Sequence, residues 1–355
     1  MRSVDAAGPA PIPQRPPVTP LAAPVAPYRA PAWLVGGHAQ TIYPFFLARP
    51  QVAFRRERVD TPDGDFWDLD WLDAAPDAPA AAGTAGPAPT VVLFHGLEGG
   101  SGSHYARALM AHLAAIGWRG VIPHFRGCGG EPNRHPRAYH SGDHEEIGAM
   151  LDAVRARTGA RATGGALFAV GVSLGGSALV NWLGRAGRAA TSTVDAAAAV
   201  STPLDLTACG IAIGQGLNRI YAWHFLWTLR PKSLALAERF PGMLDPERIR
   251  RARSMHDFDN VVTAPLHGFE DTVDYWHRAA SKPWLRHVAV PTLVLNARND
   301  PFVPAESLPG PAEVSADVLL EQPNGGGHVG FLSPPFPGNL SWLPRRLVQF
   351  FASPG

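Results

Sequence analysis

The segment 171–175 has the pattern G-x-S-x-G, with Ser173 between two glycines. A serine in this pattern occupies a tight turn between a strand and a helix, so that its hydroxyl projects above a sheet. Both flanks fit this arrangement, because the apolar run 167–172 precedes the serine and the helix-like run 177–180 follows it. We therefore predict that Ser173 is a nucleophile; the alternative is an incidental glycine-rich turn.

A serine needs a base to activate it, and the base needs an acid to orient it. In hydrolases with this motif the three residues follow in the order Ser, Asp or Glu, His. Asp300 comes just after the apolar run 292–295, and His328 follows in a glycine-rich loop. We predict that His328 is the base and Asp300 its acid. Asp205 is the competing acid, and a turn aspartate and an exposed loop histidine are the alternatives.

Acyl transfer also needs two N–H groups that stabilise an oxyanion. We predict the amide of Leu174, directly after the serine, and the amide of Leu97, in the glycine-rich loop 95–100. That loop lacks the G-x-G-x-x-G order of a dinucleotide site. The sequence has no H-E-x-x-H motif, no P-loop and only two cysteines. We therefore expect no metal and no cofactor.

Short apolar runs alternate with helical patterns and predict the elements that carry these residues. The predicted strands are 91–94, 120–123, 167–172, 196–200, 292–295 and 318–320. Helical spacing follows the first two runs, at 105–116 and 147–154, and follows Ser173. Such alternation predicts an α/β fold with a mostly parallel sheet and helices on both faces.

The pattern divides the chain into three parts. Residues 1–31 are rich in Pro and Ala and predict a disordered tail. The segments 32–202 and 291–352 form the predicted α/β core, in which the Pro- and Ala-rich run 74–89 is a predicted surface loop. The segment 203–290 has no strand pattern, so we expect a helical cap inserted into the core.

The cap contains an aromatic run at 220–227 that is apolar on more than one helical face. We predict that Trp223, Phe225 and Trp227 line an acyl pocket above Ser173 or contact a lipid interface. Plain packing of the cap against the core is the alternative.

Composition excludes several classes of protein. The 355 residues include 31 basic and 30 acidic residues, so the chain, with a net charge of +1, lacks the broad positive charge expected of a nucleic-acid-binding protein. Hydrophobic residues make up 46% and charged residues 17%, as in a folded globular protein. No apolar run is long enough for a membrane span, and no secretory signal pattern is present. We expect a cytoplasmic protein; the oligomeric state stays open.

Several short motifs spread over the chain resemble one family. They are GHAQT at 37–41, HGLEG at 95–99, FRGCGG at 125–130, YHSGD at 139–143, VSLGG at 172–176 and DFD at 257–259, with further similarity at 268–269 and 274–275. The combination, over roughly residues 33–350, resembles the YheT-like branch of the α/β-hydrolases. That branch includes yeast medium-chain fatty acid ethyl ester synthase/esterases and mammalian acylglycerol and phospholipid lipases. One departure is Ser177, where the family pattern suggests Asn.

The resemblance implies an α/β-hydrolase fold and places the family's Ser, Asp and His on Ser173, Asp300 and His328. It implies hydrolysis of carboxylic esters, with short- to medium-chain acyl esters or monoacylglycerols as substrates. We therefore predict a serine carboxylesterase that works through an acyl-enzyme. The alternatives are an acyltransferase or ester synthase that uses the same acyl-enzyme, and a non-catalytic binding protein with the hydrolase fold.

Overall fold

The computed structural model describes residues 24–47, 49–72, 87–159 and 165–352. At the centre of these residues lies an eight-stranded sheet in the order β1-β2-β4-β3-β5-β6-β7-β8. The β1–β2 and β2–β4 pairs are antiparallel, and every other neighbouring pair is parallel. The strands are β1 (Arg55–Asp60), β2 (Phe66–Leu72), β3 (Thr90–Phe94), β4 (Arg119–Pro123), β5 (Leu167–Val172), β6 (Ala196–Val200), β7 (Thr292–Leu295) and β8 (Val318–Glu321).

Helices cover both faces of this sheet. They are α2 (His104–Ala115), α3 (His144–Thr158), α4 (Leu174–Ala186) and α11 (Trp342–Ala352). The short helix α1 (Gly37–Ile42) instead contacts the loops after β7 and β8. Helices α2 and α11 pack on one face, and α3 and α4 pack on the other. Strands β3, β5 and β6 are buried along their whole length because both of their faces are covered, which explains their continuous apolar sequence. The predicted α/β-hydrolase architecture is confirmed.

The edge strand β1 and its neighbour β2 were not among the predicted strands. All of β2 is buried, although it contains Asp68 and Asp70. Two arginines on the neighbouring β1 neutralise these carboxylates through paired hydrogen bonds: Arg58 donates to Asp68 at 2.8 and 3.0 Å, and Arg56 to Asp70 at 2.7 and 2.9 Å. A buried carboxylate is tolerated when it is paired in this way.

Between β6 and β7 the chain forms helices and no strand, throughout the fully described segment 203–290. The helices are α5 (Leu206–Ile213), α6 (Arg219–Arg239), α7 (Pro246–Arg251), α8 (Met255–Phe258), α9 (Ala264–His267) and α10 (Thr272–Ala279), with a π-helical turn at Asp259–Thr263. They enclose an apolar cluster of their own, centred on residues such as Leu226, Ile249 and Phe258. None of the helices described has the length and apolar character needed to span a membrane.

Short 3-10 helices join these elements. They lie at Tyr43–Phe46, Gly187–Ser192, Gly216–Asn218, Lys282–His287, Ala305–Ser307 and Pro311–Glu313. Ser177, the departure from the family pattern, is fully buried in α4, and its Oγ donates to the carbonyl oxygen of Pro203 at 2.8 Å. The serine therefore ties α4 to the first residue of the predicted cap.

The predicted disordered tail and surface loop fall largely outside the described residues, which omit 1–23 and 73–86. The described end of the tail packs against the core instead of extending from it. Tyr28 is buried and donates to the carbonyl oxygen of Leu332 at 3.0 Å, and Ala26 accepts a hydrogen bond from the indole of Trp342 at 2.9 Å. The reason is aromatic packing, which Pro and Ala content did not reveal: the Tyr28 ring meets the Trp342 ring edge-on.

Candidate active site

Ser173 lies in a strained turn between β5 and α4. Its backbone has φ 53° and ψ −122°, a left-handed conformation that is uncommon for a residue with a side chain. The flanking glycines are required by space, because a Cβ at Gly171 would lie 2.6 Å from the backbone of α4. A Cβ at Gly175 would lie 2.5 Å from the carbonyl oxygen of Phe94. The turn thus presents the serine hydroxyl at the carboxyl end of the sheet.

The structure brings Ser173, His328 and Asp300 into one hydrogen-bonded chain. His328 Nε2 lies 3.0 Å from Ser173 Oγ, and His328 Nδ1 lies 2.8 Å from Asp300 Oδ2. Asp300 is buried, and its other oxygen accepts the N–H of Phe302 at 2.8 Å. When Nδ1–H donates to the carboxylate, Nε2 is left as an acceptor for the serine hydroxyl. The arrangement can therefore withdraw a proton from Ser173.

Asp205, the competing acid, has a different place. It is the N-cap of α5, and its carboxylate accepts the N–H of Ala208 at 3.0 Å. This is a structural role that short polar side chains commonly take at helix starts.

The amide of Leu97 lies between two amides of the loop after β3 that already have acceptors. On one side, the N–H of Gly96 donates to the hydroxyl of Tyr105 at 2.9 Å. On the other side, the N–H of Glu98 donates to the hydroxyl of Tyr139 at 2.7 Å. Leu97 itself lines the cavity that contains Ser173.

Leu174 offers the second predicted amide. It is the first residue of α4, where an N–H has no acceptor within the helix. Within the ranges that the structure describes, the N–H groups of Leu97 and Leu174 meet no protein acceptor. Both residues line the cavity at Ser173, so an oxyanion at that position has two candidate donors.

Glu98 connects this loop to the segment 203–290, a connection that sequence reasoning missed. Its backbone is left-handed, with φ 55°. Its carboxylate accepts hydrogen bonds from Lys232 of α6 at 2.9 Å and from the hydroxyl of Tyr139 at 3.2 Å. Burial raises the pKa of Tyr139 well above its ordinary value, so its hydroxyl stays protonated. Tyr139 in turn stacks on Phe125, with ring centres 5.1 Å apart.

Two cavities meet at Ser173 and His328. The first, of about 140 Å³, extends under the cap and is lined mainly by apolar side chains, among them Leu206, Ile213, Leu229, Phe258 and Trp276. The second, of about 210 Å³, has more hydroxyl- and imidazole-bearing residues in its lining, among them Thr41, Ser103, His104, Tyr221, His224 and Thr228. Phe225 and Phe302 line both cavities.

The three predicted aromatic residues of the cap lie on different faces of α6. Phe225 points into the cavities, whereas Trp223 and Trp227 are 60% and 67% exposed and pack against each other with ring centres 5.4 Å apart. The prediction that the two tryptophans line the pocket is therefore wrong. The buried positions Ala222 and Leu226 define the inner face of α6, and the helical repeat turns the tryptophans outward.

Among the described residues, no group of three or more His, Cys, Asp or Glu side chains is arranged to hold a metal ion.

Comparison with known proteins agrees with this geometry. Residues 89–335 match the family model described as the alpha/beta hydrolase fold. The chain is 37% identical over 320 residues to the esterase-like protein YheT of Escherichia coli, covering 89% of this chain and 90% of that protein. It is 30% identical over 326 residues to human phospholipase ABHD3, covering 91% of this chain and 78% of that protein.

A solved structure also shares the fold. The esterase Pf2001 of Pyrococcus furiosus superposes with a TM-score of 0.51 at 16% identity, covering 84% of this chain and 92% of that one. The family model, the two relatives and the shared sheet architecture lead to one conclusion. The chain belongs to the α/β-hydrolase family, in the branch that contains YheT and ABHD3.

Proposed function

We propose that this protein is a serine carboxylesterase that hydrolyses short- to medium-chain acyl esters or monoacylglycerols. The observation that carries the proposal is the chain of hydrogen bonds from Ser173 through His328 to Asp300, next to two amides that have no acceptor among the described residues. The names of the relatives, an esterase and a phospholipase, point to the same class of reaction.

In the proposed mechanism, Ser173 Oγ attacks the ester carbonyl carbon while its proton passes to His328 Nε2. The Leu97 and Leu174 amides stabilise the oxyanion, and each such donor contributes about 10²- to 10³-fold to kcat in a comparable enzyme. The C–O bond to the alcohol then breaks, and His328 returns the proton to the departing alcohol. Asp300 keeps the imidazole in the required tautomer and stabilises its positive charge.

The second half of the reaction repeats these roles with water. His328 removes a proton from a water molecule, whose oxygen attacks the acyl carbon on Ser173. The tetrahedral intermediate collapses, the bond to Ser173 Oγ breaks, and the proton on His328 passes to the serine oxygen. The products are the free acid, the alcohol and the original enzyme.

The walls of the two cavities suggest which part of the ester each one receives. The apolar cavity under the cap suits an acyl chain, because burial of methylene groups against leucine and phenylalanine side chains is favourable. The cavity lined by Ser103, Tyr221 and Thr228 suits an alcohol that carries hydroxyl groups, such as glycerol. This division supports a medium-length acyl group joined to a polar alcohol.

Weak contact with a lipid surface is part of the proposal. The outer face of α6 and the turn before it expose Leu217, Ile220, Trp223 and Trp227, each 60–67% accessible. An apolar helical stripe with tryptophans is typical of segments that lie in a lipid–water interface. Tyr221 and His224 of the same helix line the cavity at Ser173. A lipid bound to the outer face of α6 would therefore lie close to the cavity that contains Ser173.

Ester synthesis is a second candidate function. The second cavity reaches both Ser173 and His328, so an alcohol in it could replace water as acceptor of the acyl group. Addition of ethanol during hydrolysis separates the two functions by product analysis. Hydrolysis predicts free acid as the main product, whereas accumulation of ethyl ester in excess of free acid would favour the synthase.

A series of p-nitrophenyl esters from acetate to decanoate tests the proposed function. We expect kcat/KM to rise with chain length to an optimum and then to fall, because the apolar cavity has a limited volume. Ser173→Ala should abolish turnover of every ester while the protein remains folded by circular dichroism. If folded wild-type protein hydrolyses none of the esters, the proposal is wrong and the binding-protein alternative is favoured.

A further inference from the structure

The loop that carries His328 is held through its backbone by side chains from distant parts of the chain. Each of its N–H groups from 326 to 329 donates to a side-chain oxygen. The pairs are Gly326 with Gln40 at 2.7 Å, Gly327 with Asn299 at 3.0 Å, His328 with Thr41 at 2.9 Å and Val329 with Ser201 at 3.0 Å. Two of the four acceptors belong to α1, within the GHAQT motif whose purpose the sequence did not explain.

These acceptors are themselves fixed in position. Gln40 and Thr41 are 5% and 2% exposed. Thr41 Oγ donates to the carbonyl oxygen of Gly37 at 2.7 Å, so its lone pairs are oriented to accept the N–H of His328. Gln40 Nε2 donates to the carbonyl oxygen of Leu34 at 2.7 Å, which leaves Gln40 Oε1 as an acceptor toward the loop.

Gln40 also joins the acid loop to the base loop. Its Oε1 accepts the N–H of Gly326 and the side-chain amide of Asn299, at 2.7 and 2.9 Å. Asn299 directly precedes Asp300, and its own Oδ1 accepts the N–H of Gly327. One side chain of α1 thus contacts the segments that carry both partners of the Asp300–His328 hydrogen bond.

The histidine loop has no regular secondary structure to fix it. Gly326, Gly327 and Val329 all have positive φ, at 140°, 58° and 58°, so the loop cannot continue a helix or a strand. Buried N–H groups in such a loop need other acceptors, and those acceptors then determine where the backbone lies.

We propose that Gln40 and Thr41 are positioning residues, through which α1 sets the place of the His328 imidazole between Ser173 and Asp300. The inference rests on the proposed function and concerns residues that exchange no proton with the substrate; Thr41 also lines the second cavity, whereas Gln40 does not. A displacement of about 1 Å between reacting groups can lower a rate by about 100-fold. Loss of one acceptor in α1 therefore affects turnover through His328.

The test compares three single variants of the full chain. Thr41→Val keeps the shape and removes the acceptor, Thr41→Ser keeps the acceptor, and Thr292→Val is the matched control. Thr292 is likewise buried and donates to a carbonyl oxygen, that of Val290 at 2.8 Å, but it lies at the start of β7. Each variant is assayed for kcat and KM, for the pH dependence of kcat/KM and for thermal stability.

We expect Thr41→Val to lower kcat by about 10- to 100-fold with little change in KM, and to alter the pH profile. Thr41→Ser should restore most of kcat, and Thr292→Val should lower stability without lowering kcat. The proton NMR signal of the Asp300–His328 hydrogen bond should weaken in Thr41→Val and persist in the other two. If Thr41→Val does not fold, Gln40→Met, which removes the acceptor of Gly326, should give the same pattern.

Three outcomes would overturn the inference. The first is a wild-type kcat and pH profile in Thr41→Val while Ser173→Ala is inactive, which leaves the proposed function intact. The second is an equal loss of activity in Thr41→Val and Thr292→Val, in proportion to the unfolded fraction. The third applies if the wild-type protein hydrolyses no ester: an unchanged NMR signal in Thr41→Val would then contradict the positioning role independently of catalysis.

Discussion

At the scale of single residues, the assignment of the site depends on which carboxylate forms a hydrogen bond with His328. Asp205 and Asp300 both follow strands of the parallel sheet, and both are plausible partners from the order of residues alone. The structure separates them: Asp300 is 2.8 Å from His328 Nδ1, whereas Asp205 caps α5. This difference gives a matched pair of substitutions.

Asp300→Asn should lower kcat/KM by about 10⁴-fold, because an amide can donate to Nδ1 and so favour the wrong tautomer of His328. Asp205→Asn should keep its N-cap, since Asn is an equally good capping residue, and should keep wild-type kcat/KM. Steady-state kinetics with one p-nitrophenyl ester measures both. A larger loss in Asp205→Asn than in Asp300→Asn would contradict the assignment.

Sequence order was enough to predict Ser173, Asp300 and His328, because each follows a recognisable apolar strand or lies in a glycine-rich loop. It could not predict the role of Thr41, which acts on a backbone N–H 287 positions later in the chain. No local pattern marks a side chain whose partner is a backbone group elsewhere in the fold. The GHAQT motif at 37–41 could be recognised in the sequence, but the hydrogen bonds made by its side chains could not.

At the scale of secondary structure, α6 combines two apolar faces with different surroundings. Its inner face includes Leu226 and Leu229, which pack within the cap, and its outer face includes the exposed Trp223 and Trp227. The stretch 220–227 of this helix is apolar on more than one face, so its sequence does not indicate which face turns toward the protein interior. This is why the sequence identified the aromatic run but misplaced the tryptophans.

The two faces predict different effects for two neighbouring substitutions. Phe225→Ala enlarges both cavities and should shift the optimum of kcat/KM toward longer acyl chains. Trp227→Ala should leave the chain-length profile of soluble esters unchanged and should weaken binding to phosphatidylcholine vesicles, measured by co-sedimentation. The reverse pattern, with a shifted profile only in Trp227→Ala, would contradict the orientation of α6.

At the scale of the whole molecule, the strands of the parallel part of the sheet were predictable, and the antiparallel strands β1 and β2 were not. Strands β3 to β8 correspond to short apolar runs between helical patterns. Strand β2 contains aspartates among apolar residues, and their burial is compensated by Arg56 and Arg58 of the adjacent strand, which pair with Asp70 and Asp68. That compensation becomes visible only when the two strands are side by side.

Buried ionisable groups predict how the stability of the whole fold depends on pH. Burial lowers the pKa of His104 to about 4, from an ordinary value of 6.5. Between these values the unfolded state binds more protons than the folded state, so His104 makes stability fall as the pH falls from 6.5 toward 4. Asp143 and Asp259 act in the opposite sense, because burial raises their pKa values to about 7 and about 6.

The variant His104→Gln isolates the contribution of this histidine to the pH dependence of stability. Relative to the wild type, its free energy of unfolding should increase as the pH falls from 6.5 to 4, because glutamine binds no proton in either state. Above pH 7 this difference should be constant. Urea unfolding at a series of pH values measures it, and a difference that does not change between pH 6.5 and 4 would contradict the buried neutral histidine.

The central claim is that Ser173 is a nucleophile activated by His328. Reaction with a fluorophosphonate probe, followed by mass spectrometry of the labelled peptide, tests it most directly. We predict one adduct on Ser173 in the wild type, no adduct in Ser173→Ala, and much slower labelling in His328→Gln. Labelling that persists in Ser173→Ala, or its absence from folded wild-type protein, would contradict the claim.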